Sequence, residues 1–243
     1  MSDNQYKGNY GGFGKGSPMS YTVDMVFCID ATASMEDTSG KEKKLINMVK
    51  ENALNFYRDI TKRLQEKKKQ LAQLRVRVIV FRDFIADGAD ALMASDFFLL
   101  PQQESDFKNC IHSICAEGGG DLPEDGLEAL AAAIKSDWTS HGMKKRQVIV
   151  VWTDAPTHDL GHGKGSAHYP AGMPESMAEL EDWWDEMDPY AKRLILFAPN
   201  ARHWDYIHEN WKKVVFVDSS ADRGLSDHKY DEVLEVITNS FAN

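Results

Sequence analysis

The stretch that most constrains the fold of this 243-residue chain is VDMVFCIDATASM, at residues 23–35. It begins as an apolar run and changes abruptly to a polar segment, in which Asp30, Thr32 and Ser34 occupy alternate positions. A short apolar run that ends at polar turn residues is typical of a strand buried on both faces. The sequence therefore predicts a loop with one carboxylate and two hydroxyls at the carboxyl end of a buried strand.

Apolar runs with the character of strands alternate with helical patterns along the rest of the chain. Strands are predicted at 21–30, 76–81, 97–100, 147–156, 193–199 and 213–217. Helices are predicted at 41–71, 107–115, 123–138, 175–188, 203–211 and 227–241. Because several of the strands are apolar throughout, they need cover on both faces. The alternation predicts an α/β fold with a doubly wound, mostly parallel central sheet and helices on both faces, similar to a Rossmann fold.

The N-terminal residues differ in composition from the rest of the chain. Residues 1–20 are rich in glycine interleaved with aromatic residues and offer little that could enter a core. This composition predicts a flexible tail. The remaining residues, 21–243, have the length and apolar content of a single α/β domain.

Charge and composition exclude several classes of protein. A net charge of −10 disfavours general affinity for nucleic acid. No apolar run approaches the roughly 18 residues of a membrane-spanning helix, and the N-terminus has no apolar segment of a secretory signal. Cys28, Cys110 and Cys115 are odd in number and form no C-x-x-C pair, so we interpret them as buried, reduced thiols. A cytoplasmic protein without nucleic-acid or membrane partners is therefore predicted.

Three segments bring oxygen ligands to the edge where the strands of an open α/β sheet end, which is where such sheets bind ligands. They are the loop DATAS after the first strand, the run GGGD at 118–121, and the Thr-Asp pair after the strand QVIVVW. Carboxylates and hydroxyls suit a hard cation, with Mg2+ as the default and Mn2+ or Ca2+ as alternatives. The predicted ligands of this metal site are Asp30, Thr32, Ser34, Asp121 and Asp154.

The first and third of these segments resemble the metal-ion-dependent adhesion site of von Willebrand factor type A domains. The resemblance maps the first-loop ligands onto Asp30, Thr32 and Ser34, and the third-loop aspartate onto Asp154. The run GGGDLPE at 118–124 is similar to a GGGDxPE signature of one branch of these domains. The resemblance implies a non-enzymatic module that binds an unidentified protein partner through the metal, to which the partner supplies an acidic group.

The resemblance is incomplete at two positions. Thr32 stands where the pattern usually has serine, which keeps the hydroxyl. Asp121 stands where the second loop usually has threonine, and this difference is larger because it adds a charge to the site. Asp121 also has a structural alternative, since with Glu124 three residues later it could form a capping box at the start of the next helix.

The other acidic residues also have purely structural alternatives. Asp30 could simply begin a turn, and Asp154, which stands before Ala-Pro, could belong to one. Asp83 follows the second strand and could be a fourth contributor to the metal site, a partner of Arg82, or a turn residue. The metal site is the preferred hypothesis because several acidic loops are expected at one edge of the same sheet.

Three histidines support a second hypothesis, a metal-dependent hydrolase. His158, His162 and His168 lie in one loop, and three imidazoles could hold a zinc ion that activates water. Their spacing does not match a helical H-E-x-x-H pattern, so solvated loop histidines are the preferred interpretation. The chain also has no G-x-S-x-G motif, no P-loop and no G-x-G-x-x-G after a strand. The sequence is therefore predicted not to encode an enzyme.

Overall fold

The computed structural model describes residues 20–36, 44–142 and 144–219, together with 231, 234, 235, 238 and 239. The predicted N-terminal tail lies outside the described residues except for Ser20, which begins the first strand. The predicted helix at 227–241 also lies largely outside them, although the five described residues of this segment are helical.

The strands of the described residues form one sheet. They are β1 (Ser20–Asp30), β2 (Gln70–Phe81), β3 (Leu92–Ala94), β4 (Phe98–Leu100), β5 (Lys145–Trp152), β6 (Lys192–Ala198) and β7 (Val214–Asp218). Their order is β3-β2-β1-β5-β6-β7, with β4 also paired to β2. The five long strands pair in parallel, whereas the short β3 and β4 pair antiparallel with the outer edge of β2. The predicted α/β class with a mostly parallel sheet is confirmed.

Helices cover both faces of this sheet. They are α1 (Leu45–Glu66), α2 (Phe84–Asp87), α3 (Glu104–Ser113), α4 (Gly126–Ile134), α5 (Met177–Glu186) and α6 (Trp204–Asn210). Successive residues of a strand point to opposite faces, so β1 contributes to two separate cores. Phe27 packs with residues of α1 and α3 on one face, whereas Cys28 packs with residues of α4, α5 and α6 on the other. The apolar runs noted in the sequence are therefore strands buried on both sides.

β1 lies at the centre of the sheet and sets the position of the site. It is buried at every residue except Ser20. Its last residue, Asp30, is in register with Phe81 at the end of β2, and Ile29 is in register with Trp152 at the end of β5. Because these three parallel strands end at the same level, the loops that follow them emerge side by side.

One acidic residue interrupts the apolar run of β1 and is neutralised within the sheet. Asp24 is 1% exposed, and its two carboxylate oxygens accept hydrogen bonds from Arg75 on β2, from Nε at 2.8 Å and from Nη2 at 2.7 Å. The backbone N–H of Thr139 also donates to Asp24, at 2.6 Å. A bidentate guanidinium with an additional donor satisfies this carboxylate in the interior.

The lengths of several elements differ from the sequence-based predictions. The first helix ends at Glu66 rather than near 71, because Lys68 adopts a φ of +54° and β2 already begins at Gln70. The seven-residue spacing of Leu64 and Leu71 continues a helical pattern, and this caused the error. α2 and β3 were not predicted, because they span only four and three residues and are too short to show a periodic pattern.

The cysteines do not share one environment. Cys28 is buried, Cys110 is half-buried and Cys115 is exposed, and all three are free thiols. The prediction that all three are buried is therefore wrong for Cys115, which lies in the extended segment after α3 and no longer on a helix face. Across the described residues, no helix combines the length and the apolar character needed to cross a membrane.

We expect the aromatic cluster around Phe27 to be a main source of stability. The Phe27 ring lies 5.9 Å from the Phe56 ring, 6.3 Å from the Phe107 ring and 5.3 Å from the Trp152 ring, measured between centroids. Phe27→Ala should lower the free energy of unfolding by about 3–5 kcal/mol, because it removes buried apolar area and leaves a cavity. Urea unfolding followed by circular dichroism measures this change.

Tyr190→Ala is the matched control, because the Tyr190 side chain is 84% exposed. It should change the unfolding free energy by less than about 0.5 kcal/mol. Equal effects of the two substitutions would show that the Phe27 cluster is not a stabilising core.

Candidate functional site

The loop after β1 is organised by the Asp30 side chain. Asp30 is completely buried, and its Oδ1 accepts hydrogen bonds from the backbone N–H of Thr32 at 2.9 Å and from the Thr32 hydroxyl at 2.7 Å. An aspartate that accepts from the second residue after it closes an Asx turn, which fixes the backbone of the loop. The Ser34 hydroxyl lies 3.0 Å from the Thr32 hydroxyl and extends the chain of oxygens outward.

The loop after β5 joins this chain of oxygens from the neighbouring strand. The Thr153 hydroxyl donates to Asp30 Oδ2 at 2.6 Å, and the Ser34 hydroxyl donates to Asp154 Oδ1 at 2.9 Å. The structure therefore brings together Asp30, Thr32, Ser34 and Asp154, four of the five predicted ligands, which we call the oxygen cluster. Thr153 is part of its support, because its hydroxyl holds the buried carboxylate of Asp30.

The fifth predicted ligand, Asp121, lies on the far side of a shallow pocket. This pocket has a volume of about 390 Å3 and is lined by the first and second loops, which are joined by a hydrogen bond from the N–H of Ala33 to the carbonyl of Gly118 at 3.1 Å. Its lining residues are Thr32, Ala33, Ser34, Gly118, Gly119, Gly120, Asp121, Leu122 and Glu124. The Asp121 side chain is 70% exposed, and its Oδ1 lies 3.7 Å from Nε2 of His158. Asp121 therefore faces the loop that carries His158, His162 and His168, which we call the histidine loop, and it makes no hydrogen bond with the oxygen cluster among the contacts of the described residues.

The capping alternative for Asp121 is wrong. The helix that follows, α4, begins at Gly126, and the residue before it is Asp125. Glu124 is instead part of a bridge between two loops, because its backbone N–H donates to Pro156 at 3.0 Å and its carbonyl accepts from His158 at 2.9 Å. Four residues separate Asp121 from the observed helix start, so it cannot cap the free N–H groups of the first turn.

Glu124 is an acidic residue of the second loop whose side chain approaches Thr32 of the oxygen cluster, and the sequence predicted only a capping role for it. A Cβ atom built on Gly119 would lie 2.9 Å from Glu124 Oε1 and 3.1 Å from Thr32 Cβ, so the two side chains flank the same glycine. Glu124 is 3% exposed, and its Oε2 has no hydrogen-bond partner among the described residues. Burial, followed by the charges of Asp30 and Asp83, raises the pKa of Glu124 to about 9.

Asp83 does not make the pairing with Arg82 that was one of its three predicted alternatives. The Arg82 guanidinium is 4% exposed and donates to three backbone carbonyls, those of Ala31, Asp90 and Cys115. Asp83 instead caps α2, because its Oδ1 accepts from the backbone N–H of Ala86 at 2.6 Å. Its Oδ2 lies 3.1 Å from Nε2 of His158. Pairing with Arg82 is therefore excluded, and Asp83 joins α2 to the histidine loop.

The three histidines of the hydrolase hypothesis do not converge. His158 is buried and stacks on His162, with ring centroids 3.7 Å apart and an interplanar angle of 13°. His162 and His168 are both exposed. A ligand cluster of the described residues combines His158 and His162 with Asp83, and His168 is not part of it.

Burial places several carboxylates of this edge in an unfavourable environment. Burial, followed by the charge of Asp154, raises the pKa of Asp30 to about 6, although hydrogen bonds from Thr153 and Thr32 oppose the shift. Burial also raises the pKa of Asp125. We call the buried side chains Asp30, Asp83, Glu124, Asp125 and Glu128 the acidic core of the edge. Because like charges accumulate there, the edge favours protons or cations over free carboxylates.

Comparison with known proteins gives similarity at the level of the fold. No family model matches the sequence, and no curated protein is similar to it. The minor pilin PilB from Streptococcus sanguinis superposes with a TM-score of 0.57 at 12% identity, covering 93% of this chain and 63% of the pilin. The pilus adhesin SpaC from Lactobacillus rhamnosus GG gives a TM-score of 0.56 at 12% identity, covering 93% of this chain and 31% of the adhesin. The chain thus spans less than two thirds of either structure.

These comparisons overturn the identification with von Willebrand factor type A domains. No family model supports it, and the similar structures are a minor pilin and a pilus adhesin. The predicted function as a metal-dependent adhesion-site module falls with it, as does the alternative of a metal-dependent hydrolase. A physical reason lies in the motif itself, because Asp30 and Thr32 form a local Asx turn that needs no metal to explain their spacing. The prediction of a non-enzymatic protein agrees with the descriptions of the pilus proteins.

The predicted cytoplasmic location is also overturned. Pilins and pilus adhesins are proteins of the cell surface, and such proteins are among the structures that the chain resembles in fold. The prediction rested on three unpaired cysteines. A domain of this size buries enough apolar surface to be stable without disulfides, so free thiols do not identify its compartment.

We expect Glu128 to make stability depend on pH. Glu128 is completely buried; its Oε1 accepts from the backbone N–H of Gly161 at 3.0 Å and from the Tyr169 hydroxyl at 2.9 Å. Burial, and then the charge of Asp125, raises the Glu128 pKa from its ordinary 4.5 to about 7. Between these values the folded state retains a proton that the unfolded state releases, so stability falls as pH rises from 4.5 to 7 and then levels off.

Glu128→Gln keeps a side-chain oxygen that can accept the hydrogen bonds from Gly161 and Tyr169, and it removes the titratable carboxyl group. The fall in unfolding free energy between pH 4.5 and pH 7 should be smaller in this variant, by about 3 kcal/mol. Urea unfolding at several pH values measures the difference. Glu209→Gln, at an exposed position on α6, should retain the profile of the original chain. If Glu128→Gln retained it as well, the assigned pKa of Glu128 would be incorrect.

Proposed function

We propose that the chain is an adhesive domain of a pilus-associated surface protein and binds a protein partner without catalysing a reaction. The observation that carries this proposal is the fold similarity to a minor pilin and to a pilus adhesin over 93% of the chain. The loops at the carboxyl edge of the sheet are proposed as the binding surface, because ligands of open α/β sheets bind there.

Two exposed apolar side chains support this choice of surface. Leu122, in the second loop, is 68% exposed, and Ile85, on α2, is 57% exposed. The two segments adjoin, since a Cβ built on Gly120 would lie 3.0 Å from Cβ of Ala86. We call Ile85, Leu122 and the adjacent pocket the edge surface. Exposed apolar anchors beside a pocket are characteristic of protein-binding surfaces.

The charge of the edge surface indicates the chemistry of the partner. Asp121 exposes 70% of its side chain at this surface, whereas the exposed Glu117 lies outside the pocket, with its Oε1 3.8 Å from Nη2 of Arg82. Charge complementarity favours a partner that presents basic side chains around an apolar anchor. The acidic anchor implied by the von Willebrand resemblance has no place in this proposal, because a carboxylate would be repelled by this edge.

Adhesion of coated beads tests the proposed function. Beads that carry the full chain should be retained on at least one of a panel of immobilised extracellular-matrix proteins, and not on albumin. Leu122→Asp should reduce retention at least about tenfold, because it replaces the apolar anchor with a charge. Tyr190→Asp is the control, since Tyr190 is 84% exposed and precedes β6, at the opposite edge of the sheet.

Both substitutions are at exposed positions, so thermal unfolding should show that the two variants remain folded. Absence of retention on every matrix protein, or an equal loss with Tyr190→Asp, would contradict the adhesive role of the edge surface.

We also propose that the oxygen cluster holds a divalent cation that braces the loops of the edge. Its donors are carboxylate and hydroxyl oxygens, which fit Mg2+, with Mn2+ or Ca2+ as alternatives. Oε2 of Glu124 has no hydrogen-bond partner among the described residues, and burial and the charges of Asp30 and Asp83 raise the Glu124 pKa, so a cation could take the place of its proton. Asp121 is not among the proposed ligands of this cation, because its Oδ1 faces Nε2 of His158 at 3.7 Å. A cation here would offset the repulsion among buried carboxylates and fix the loops that carry Leu122.

Thermal unfolding with MgCl2 and with EDTA tests the cation. Saturating Mg2+ should raise the melting temperature of the original chain, with a stabilisation of about 2.7 kcal/mol when Mg2+ is at 100 times its Kd. Asp30→Asn should abolish this rise, because it removes the central charge of the oxygen cluster. Asp106→Asn, at an exposed position on α3, should preserve it. An equal rise in both variants would exclude the oxygen cluster as the Mg2+ site.

A further inference from the structure

We propose that Asp83, His158 and His162 form a second, non-catalytic metal site that binds Zn2+. One ligand atom from each of these side chains lies within 4.8 Å of the other two. The site stands beside the edge surface and takes a different metal from the oxygen cluster. The zinc site is independent of the adhesive function, because the zinc ion would fix the position of the histidine loop and would not contact a partner.

The spacing of the ligand atoms is close to that around a tetrahedral zinc. Nε2 of His158 lies 3.1 Å from Oδ2 of Asp83. Two ligands at 2.0–2.1 Å from a tetrahedral zinc stand about 3.3 Å apart, so this pair already has the required separation. His162 stacks on His158 with nearly parallel rings, so its ring must rotate out of the stack before both nitrogen lone pairs can point at one ion, and its exposure to solvent leaves it free to do so. The position between these three side chains is therefore suited to one zinc ion.

The chemistry of the donors selects zinc over magnesium. Two imidazoles with one carboxylate are typical ligands of Zn2+, whereas Mg2+ prefers oxygen ligands throughout. Asp121 approaches the open side, with its Oδ1 3.7 Å from Nε2 of His158, and is a ready fourth ligand. Asp83 also caps α2, so its carboxylate is already oriented by the backbone N–H of Ala86.

A buried negative charge beside the cluster is an independent sign of a cation. Asp125 is completely buried, and its Oδ2 accepts from the backbone N–H of Phe84 at 2.6 Å. Its Oδ1 has no hydrogen-bond partner among the residues that the structure describes. This carboxylate lies within electrostatic reach of both His158 and His162. An unpartnered buried carboxylate is costly, and a dication in the adjacent cluster would compensate it.

The loop that carries His162 is seated against the rest of the edge. Gly161 adopts a φ of +84°, and its N–H donates to the buried Glu128 at 3.0 Å. Gly163 packs so closely on α2 that a Cβ there would lie 2.6 Å from Cβ of Phe84. The turn between these two glycines presents His162 to His158. The backbone that carries His162 is therefore fixed by contacts with Glu128 and α2, and a fixed backbone is what a metal site requires.

Titration calorimetry on the EDTA-treated full chain tests the proposal. ZnCl2 should bind with a 1:1 stoichiometry that excess MgCl2 does not displace. His162→Gln should weaken zinc binding at least about tenfold, because it removes one of three ligands. His168→Gln is the matched control, since His168 is an exposed histidine of the same loop outside the cluster, and it should leave the zinc Kd unchanged.

Hydrogen exchange supplies a readout that adventitious binding would not change. Zinc should slow amide exchange in residues 158–166 of the original chain and of His168→Gln, and it should have no such effect in His162→Gln. Equal zinc affinity in all three proteins would mean binding by scattered surface histidines and would overturn the proposal, as would the absence of zinc binding. Because bead adhesion and zinc affinity are measured separately, failure of either one leaves the other to be judged on its own result.

Discussion

The hydrogen bonds to the Asp30 carboxylate join the parts of the carboxyl edge to one another. One oxygen accepts from Thr32 in its own loop and the other accepts from Thr153 after β5. The register of β1 with β2 and β5 brings these groups to the same level. A charge at the buried end of the central strand is costly, so the hydroxyls that satisfy it also fix the geometry of both loops. The pocket and the edge surface depend on that arrangement.

The acidic core gives this edge its electrostatic character. Burial raises the pKa of Glu124 to about 9 and that of Glu128 to about 7, so these groups favour the protonated state in the fold. Arginine does not relieve this accumulation of charge, since the Arg82 guanidinium donates to backbone carbonyls. Protons and cations are therefore the groups that can balance it. This balance links the proposed magnesium and zinc sites to the stability of the loops that each would hold.

The sequence predicted the oxygen cluster more successfully than the rest of the site. Residues at alternate positions after a strand remain close in space because a short turn holds them, and Asp154 follows a neighbouring strand of the same parallel sheet. The pairing of His158 with His162 and Asp83 depends on how a long loop packs against α2, which no local spacing encodes. Glu124 was misassigned because the start of α4 lay several residues later than its pattern indicated.

The sequence by itself determined the α/β class, the long strands and the loops that end them, because apolar periodicity reports directly which residues must avoid water. The tertiary structure decided which carboxylates are buried together, where Asp121 points and how the histidines pair. These features depend on contacts between residues far apart in the chain. Neither the family nor the compartment followed from the motif or the cysteines, because a short turn motif and free thiols are each compatible with several kinds of protein. The comparison of whole folds was needed to correct them.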